Sequence, residues 1–386
     1  MAASAGLTNR RSRLATRWER LNGPQRIAGV DLARGLAVLG MFAAHLLWIR
    51  EDFDWSDQAT WIAVVDGRSS ILFATLAGVS IGIVTGGRTP LQWDAMATAR
   101  WRLGVRAGLL WLLGILLILT GVPVYVILPA YAILFLLAIP LTGLRARVLL
   151  PLAAALAIVM PILQVMLDDL PVWGTRAGGD LSLAIGWHYP FTTWIAFVVA
   201  GLGVARAGVR RLSVQLWMLG AGSALAFVGY SAGGSDAAAP ASEPSSLWSA
   251  AWTSAPHSSG LLEVIGSGGF ALAVIGASML VCRSVVVWIV LPLRAVGAMP
   301  LTAYTAQLVV WALIALEVLG RTGDLTGFRD LEPFWPFVLA TLVLCTAWAL
   351  LIGRGPLEWA VDRVARLIVP SALESDRAVG DSSPRR

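Results

Sequence analysis

Between Ile27 and Ile49 the chain reads IAGVDLARGLAVLGMFAAHLLWI, an apolar run interrupted by Asp31, Arg34 and His45. A membrane-spanning helix needs about 20 apolar residues, so this run is long enough to cross a bilayer. An ionisable side chain near the bilayer centre costs roughly 2.5–3.5 kcal/mol even on the gentler insertion scale. Three such groups in one span need neighbours other than lipid, and further helices of the same chain must supply them. At about 100° per residue, the eleven steps from Arg34 to His45 make three turns plus roughly 20°. The two side chains therefore share a face, about 16 Å apart along the axis. Asp31 precedes Arg34 by one helical turn, close enough to pair with it. The pattern predicts a polar stripe running most of the way through a membrane, turned into a helix bundle.

The rest of the chain can build that bundle. It is 57% hydrophobic and only 13% charged, with a mean hydropathy of +0.74; soluble domains average about 25% charged residues. The class is an all-α, polytopic membrane protein with the lipid bilayer as its main partner. The net charge of +6 comes entirely from Arg, since Lys is absent, and it does not indicate nucleic acid. Cys282 and Cys345 lie in apolar stretches and form neither a disulfide framework nor a metal-binding spacing. Residues 1–26 are Arg-rich and polar, without the apolar core of a signal peptide.

Ten spans are expected, at 27–49, 61–85, 105–121, 122–142, 146–167, 189–207, 212–230, 261–282, 297–319 and 334–353. Arg10, Arg11, Arg13, Arg17, Arg20 and Arg26 place the N-terminus in the cytoplasm. Alternation then keeps Arg88, Arg100, Arg102, Arg106, Arg145, Arg147, Arg206, Arg210, Arg211, Arg283, Arg294 and the tail from Arg354 on that side. The outer loops carry the acids: Glu51, Asp52, Asp54 and Asp57, then Asp168, Asp169 and Asp180, then Asp324, Asp330 and Glu332. Only Arg50, Arg176, Arg321 and Arg329 join them there. The expected organisation is an Arg-rich segment 1–26, a membrane domain 27–369 and a disordered tail 370–386. Both termini are cytoplasmic, and the expected location is the cytoplasmic (inner) membrane. The longest outer loop, 231–260, is rich in Ala, Ser, Pro and Gly, with Trp248 and Trp252 able to dip into the interface. No internal repeat points to a transporter built from two related halves.

Under this topology His45, His188 and His257 all fall at or beyond the outer surface. His45 lies four residues from the end of the first span, and Asp66 lies at similar depth in the second. The specific expectation is that Asp66 orients the His45 imidazole and leaves its other nitrogen to act as a base. Arg68, two residues on, can pair with Asp66 or hold an anionic donor. Each group also has a plainer reading. Asp31–Arg34 and Asp66–Arg68 read equally as buried pairs that fix helix register. His188 in GWHYPF reads as an interfacial residue beside Trp187 and Tyr189, and His257 as a loop residue. Thr302, Tyr304, Thr305 and Gln307 in the ninth span can bond neighbouring helices or line a path.

The blocks VDLARGLAVLGMFAAH and DGRSSILFATLAGVSIGI resemble the opening of bacterial heparan-α-glucosaminide N-acetyltransferase-like and YeiB-like membrane proteins. HYPFTTWIAFVVAGLGVAR, HSSGLLEVIGSGGFALAVIG, RAVGAMPLTAYTAQL and RGPLEW resemble later blocks of that group, in the same order. The Arg-to-His spacing also resembles the acyltransferase-3 membrane enzymes, which acylate sugars outside the cytoplasm. The resemblance implies a helix bundle that takes an acyl group, acetyl by family, from cytoplasmic acyl-CoA and passes it to an envelope glycan or lipid-linked sugar. There is one departure. Relatives of the lysosomal enzyme carry a catalytic His before a Trp after the first conserved span, and DQATW has Gln58 at about that place. Either His45 supplies the base or this branch has a different activity.

The resemblance and the polar groups together give an acyltransferase without a metal. Arg34, Arg100, Arg102 and Arg106 would meet the phosphates of acyl-CoA. His45, Asp66 and Arg34 would carry the chemistry, and Asp31, Arg68, His188, His257, Tyr304 and Gln307 would contact substrate. A transporter or flippase of an envelope precursor, or a non-catalytic assembly protein, are the alternatives. A second copy of the chain is a further candidate partner.

Overall fold

The computed structural model describes residue 23 and residues 26–49, 56–232 and 247–370. Almost all of the expected segment 1–26, the tail beyond residue 370 and the centre of the longest loop lie outside the described residues. Among the described residues the chain is helical throughout. It begins with α1 (Ala28–Leu46), a 3₁₀ stretch (Gln58–Val65), α2 (Arg68–Val84) and α3 (Trp93–Ile118). α4 (Leu128–Ala138), continued by a 3₁₀ turn (Ile139–Gly143), leads into α5 (Ala146–Asp168), α6 (Arg176–Ile185), α7 (Phe191–Ala207) and α8 (Leu212–Ala232). The second half holds α9 (Leu247–Ala251), α10 (Leu261–Val281), α11 (Val286–Ile289), α12 (Leu291–Ala298) and α13 (Pro300–Leu319). α14 (Leu325–Asp330), α15 (Phe334–Leu351) and α16 (Pro356–Ile368) close the chain.

Among the described residues eight helices are long and apolar enough to cross a membrane, and two shorter apolar ones, 128–143 and 191–207, accompany them. Each expected span thus has a helix, and the protein is a multi-pass membrane bundle. The boundaries differ where backbone chemistry intervenes. The third helix starts at Trp93, twelve residues before the expected 105, because nothing in 93–104 breaks a helix and its Arg residues find partners. The fourth starts only at Leu128, since Gly121 adopts φ 69° and Pro123 follows it. The ninth is cut at Met299 (φ −138°, ψ 54°), immediately before Pro300, so that α12 and α13 are separate helices. Arg294, expected in a cytoplasmic loop, is consequently buried on α12, where it donates to the Val287 carbonyl at 3.0 Å.

α1 is the axis of the bundle. It packs against α2, α10, α12, α13 and α15, and most of its residues are buried. That position accounts for its polar side chains, which face protein. Close approach to α12 is possible only through glycine. A Cβ on Gly297 would lie 1.7 Å from the Asp31 carbonyl oxygen, and one on Gly35 would lie 2.0 Å from that of Leu293. Small residues at crossings let membrane helices gain backbone packing where lipid offers no hydrophobic drive.

Candidate active site

The stripe on α1 is divided. At its first turn, the end that carries the arginines, Arg34 Nη1 donates to Asp31 Oδ1 at 3.0 Å and Nη2 donates to Ser80 Oγ of α2 at 2.8 Å. Arg26 stands 3.5 Å from the other Asp31 oxygen. Between Arg34 and His45 the same face presents Val38, Met41 and Phe42, all buried. At the last turn, Gln307 Nε2 of α13 lies 3.4 Å from His45 Nδ1, and the Tyr304 ring centroid is 6.4 Å from the imidazole. The contact is long, and it is met either by the Gln307 amide donating to Nδ1 or by the flipped amide accepting from Nδ1–H. Arg329 of α14 caps this helix end, donating from Nε to the His45 carbonyl (3.0 Å) and from Nη2 to that of Ala44 (3.1 Å). A cation on the last carbonyls also complements the helix dipole.

The expected Asp66–His45 pair is corrected by the structure. Asp66 Oδ1 lies 3.0 Å from His257 Nε2 instead. Asp66 sits at the break between the 3₁₀ stretch and α2, where Gly67 at φ 65° turns the chain. A Cβ on Gly67 would lie 3.7 Å from His257 Nε2, so the imidazole rests beside this turn. Arg68, expected either to pair with Asp66 or to hold an anionic donor, donates from Nε to the Tyr230 hydroxyl (2.7 Å) and from Nη1 to the Ala63 carbonyl (3.0 Å). Tyr230 in turn shares a hydrogen bond with Ser267 of α10 at 2.7 Å.

His257 is held in an unusual backbone conformation. It has φ 62° and Ser259 has φ 54°, a left-handed region that costs non-glycine residues of order 1–3 kcal/mol each. Glu263, buried in the first turn of α10, holds both in place. Its carboxylate accepts from the backbone N–H of His257 (2.7 Å) and Ser259 (2.6 Å) and from Ser258 Oγ (3.2 Å). The His257 side chain remains 45% exposed, so the imidazole is fixed and open to solvent. The hydrogen bond to Asp66 raises its pKa above the ordinary imidazole value, against the effect of burial and with help from the Glu263 charge.

His188 stacks on Tyr125, ring centroids 3.4 Å apart. Burial, aided by the His257 charge, lowers its pKa. Both rings line a second concavity of about 410 Å³, walled by the turn at residues 121–126 and by Gly186 and Tyr189. The Tyr189 hydroxyl donates to the Tyr125 carbonyl at 3.1 Å. His188 is electrostatically coupled to His257 and Tyr189 to Asp66, so these groups stand at the same end of the bundle.

Sequence reasoning missed Glu263 and Arg329. Glu263 is an acid inside an apolar run, so the cost argument applied to Asp31 marks it equally well. Arg329 gave no such signal, because its role depends on which helix end it meets. Three arginines expected to meet donor phosphates have internal partners. Arg100 Nε donates to Thr142 Oγ1 (2.9 Å), Arg102 Nε to the Val369 carbonyl (2.9 Å) and Arg106 Nη2 to Asp362 (2.6 Å). Thr302 belongs to a helix cap: the Glu358 carboxylate of RGPLEW accepts from the Thr302 hydroxyl (2.5 Å) and from the N–H groups of Leu301 and Thr302.

The site thus combines a multi-pass membrane bundle with a fixed, exposed histidine–carboxylate pair at one end. Residues 26–232 match the family described as heparan-alpha-glucosaminide N-acetyltransferase, catalytic, and this stretch is more than half of the 386 residues. The chain belongs to that family of membrane acyltransferases. Residues 213–367 match a second family, described as a protein of unknown function (DUF418). No curated protein and no solved structure matches. Asp66 falls in the first match and His257 in the second, so the pair is assembled across both.

Proposed function

We propose that the protein moves an acyl group, acetyl by family, from acyl-CoA at the arginine-bearing end of the bundle to a hydroxyl or amine of an envelope glycan or lipid-linked sugar at the histidine end. The observation that carries this reading is the His257–Asp66 pair. With Nε2–H bonded to the Asp66 carboxylate, Nδ1 keeps its lone pair and takes the acceptor proton as the nucleophile attacks the acyl carbonyl. His45, in the tautomer with Gln307 donating to its Nδ1, would offer its Nε2–H to negative charge on that carbonyl oxygen. Loss of the thiolate of coenzyme A then completes the transfer. On this reading an acyl-bearing arm has to pass between the two ends at the level of Val38, Met41 and Phe42, which are closed core in this structure. We place the donor side in the cytoplasm and the protein in the inner membrane, on the distribution of arginine.

Mass spectrometry of envelope glycans tests this reading, comparing a deletion strain complemented with wild-type, His257→Ala or His45→Ala protein. Loss of one acyl modification in the deletion and in His257→Ala, restored by wild type, is the expected result. An acylation profile identical in deletion and wild-type strains would remove the enzymatic reading.

A further inference from the structure

The arginine-bearing end of the bundle holds a concavity that none of the residues given a chemical role above lines. It is a cleft of about 730 Å³ between the α2–α3 turn and the start of α5, walled by the first turns of α3 and by Arg206 of α7. Among the described residues Arg88, Arg100, Arg145, Arg147 and Arg206 line it, and no Asp or Glu does. These arginines have different duties. Arg206 is buried and spent: its guanidinium donates to the carbonyls of Gly82, Thr85, Gly87, Thr142 and Leu144 and to Thr85 Oγ1. It ties three turns together and forms the floor. Arg100 commits Nε to Thr142 Oγ1, which turns its fork along the wall. Arg88, Arg145 and Arg147 are exposed at the rim.

Several guanidinium groups around one cleft repel each other until an anion enters, and the planar fork suits phosphate oxygens. We propose that this cleft binds the phosphate headgroup of an anionic glycerophospholipid. Two features of α3 favour a lipid over a soluble phosphate compound. Trp93, which lines the cleft, is 88% exposed and Trp101 is 70% exposed, as rings at a membrane–water interface are. Beyond them the exposed face of α3 continues as Trp111 and Leu112, apolar surface for acyl chains leaving the headgroup. Basic pockets between membrane helices are an established way to hold such headgroups.

The test uses the full-length protein in neutral detergent, titrated with phosphatidylglycerol and with phosphatidylcholine of the same chains, with bound lipid counted by native mass spectrometry. Wild type should prefer phosphatidylglycerol. The triple variant Arg88→Gln, Arg145→Gln, Arg147→Gln should lose about 100-fold of that preference, at about five-fold per charge removed. Single Arg147→Gln, expected to lose about five-fold, keeps the test available if the triple variant does not purify. An anionic preference unchanged by these substitutions overturns the proposal. Displacement of the lipid by equimolar inorganic phosphate or adenosine 3′,5′-bisphosphate also overturns it and assigns the cleft to a soluble phosphate compound. His257→Ala should bind the lipid as wild type does, so failure of the acyl-transfer reading leaves this result unaffected.

Discussion

The two ends of α1 carry similar polar residues in the same helix, yet the fold uses them in opposite ways. At the first turn Asp31 accepts from Arg34, Arg34 donates to Ser80, and Arg26 supplies a second positive charge beside the other, buried Asp31 oxygen. Asp31 is 3% exposed. At the last turn His45 meets one long contact with Gln307, and the His257–Asp66 pair is open, with the loop that presents it strained. A closed charge pair lends register and little reactivity. An open one, held by a carboxylate on one nitrogen only, keeps a lone pair for chemistry. The comparison teaches that the cost of a charge in a membrane segment marks both structural and reactive groups. Accessibility and unspent valence separate the two.

The sharpest way to break this contrast is at His257. His257→Gln should lower acyl transfer by roughly 10²–10⁴-fold, the range for losing a general base, while the thermal transition stays near that of wild type. An assay on reconstituted protein with a radiolabelled acyl donor checks the rate, and a melting curve checks the fold. Full activity in the variant would return the basic role to His45. At the other end the signs reverse. Asp31→Asn leaves the Arg34 guanidinium without its counter-charge, and breaking a buried pair costs about 3–5 kcal/mol. Thermal unfolding in detergent should show that loss, with the protein that remains folded keeping its rate per molecule.

The pH dependence sharpens the comparison further. Because the Asp66 hydrogen bond raises the His257 pKa, activity should rise with pH along a limb above the ordinary imidazole value of about 6.5. Asp66→Asn should move that limb to lower pH and slow transfer at every pH. An unmoved limb would remove Asp66 as the positioning group. Stability has the opposite sign. A raised folded-state pKa contributes fully below the unfolded value and is lost as pH rises through the folded one. Protection of residues 253–260 against proteolysis should therefore fall as pH rises through that limb. The smallest effect is expected at Arg329, where Arg329→Gln removes a cation from a helix C-terminus worth about 0.3–1 kcal/mol. A small fall in melting temperature, with little change in rate, would match that value.

Much of the architecture was legible in the chain before any coordinates. The apolar runs gave the spans because a bilayer has a fixed thickness, and the one-turn spacing of Asp31 and Arg34 gave their pair. The errors fall where the local signal is ambiguous. Pro300 reads equally well as an interior residue of one long span or as the start of a new helix. Only the packing of α12 on α1 through Gly35 and Gly297 shows that the break is used. The Asp66–His45 expectation failed for a related reason. Depth in the membrane restricts which residues can meet, but several side chains share each depth. Asp66 found a partner 191 positions away in sequence, on a loop that Glu263 pins from the following helix.

What the amino-acid order determined alone was a membrane bundle with costly groups drawn inward, since hydropathy and charge act on each segment independently of its neighbours. Which of those groups would quench one another, and which would be left open on a strained loop, was decided only by tertiary structure. Hydrogen bonds are short and directional, so a carboxylate's partner is set within a few ångströms, by helix crossings and glycine contacts that no single segment encodes.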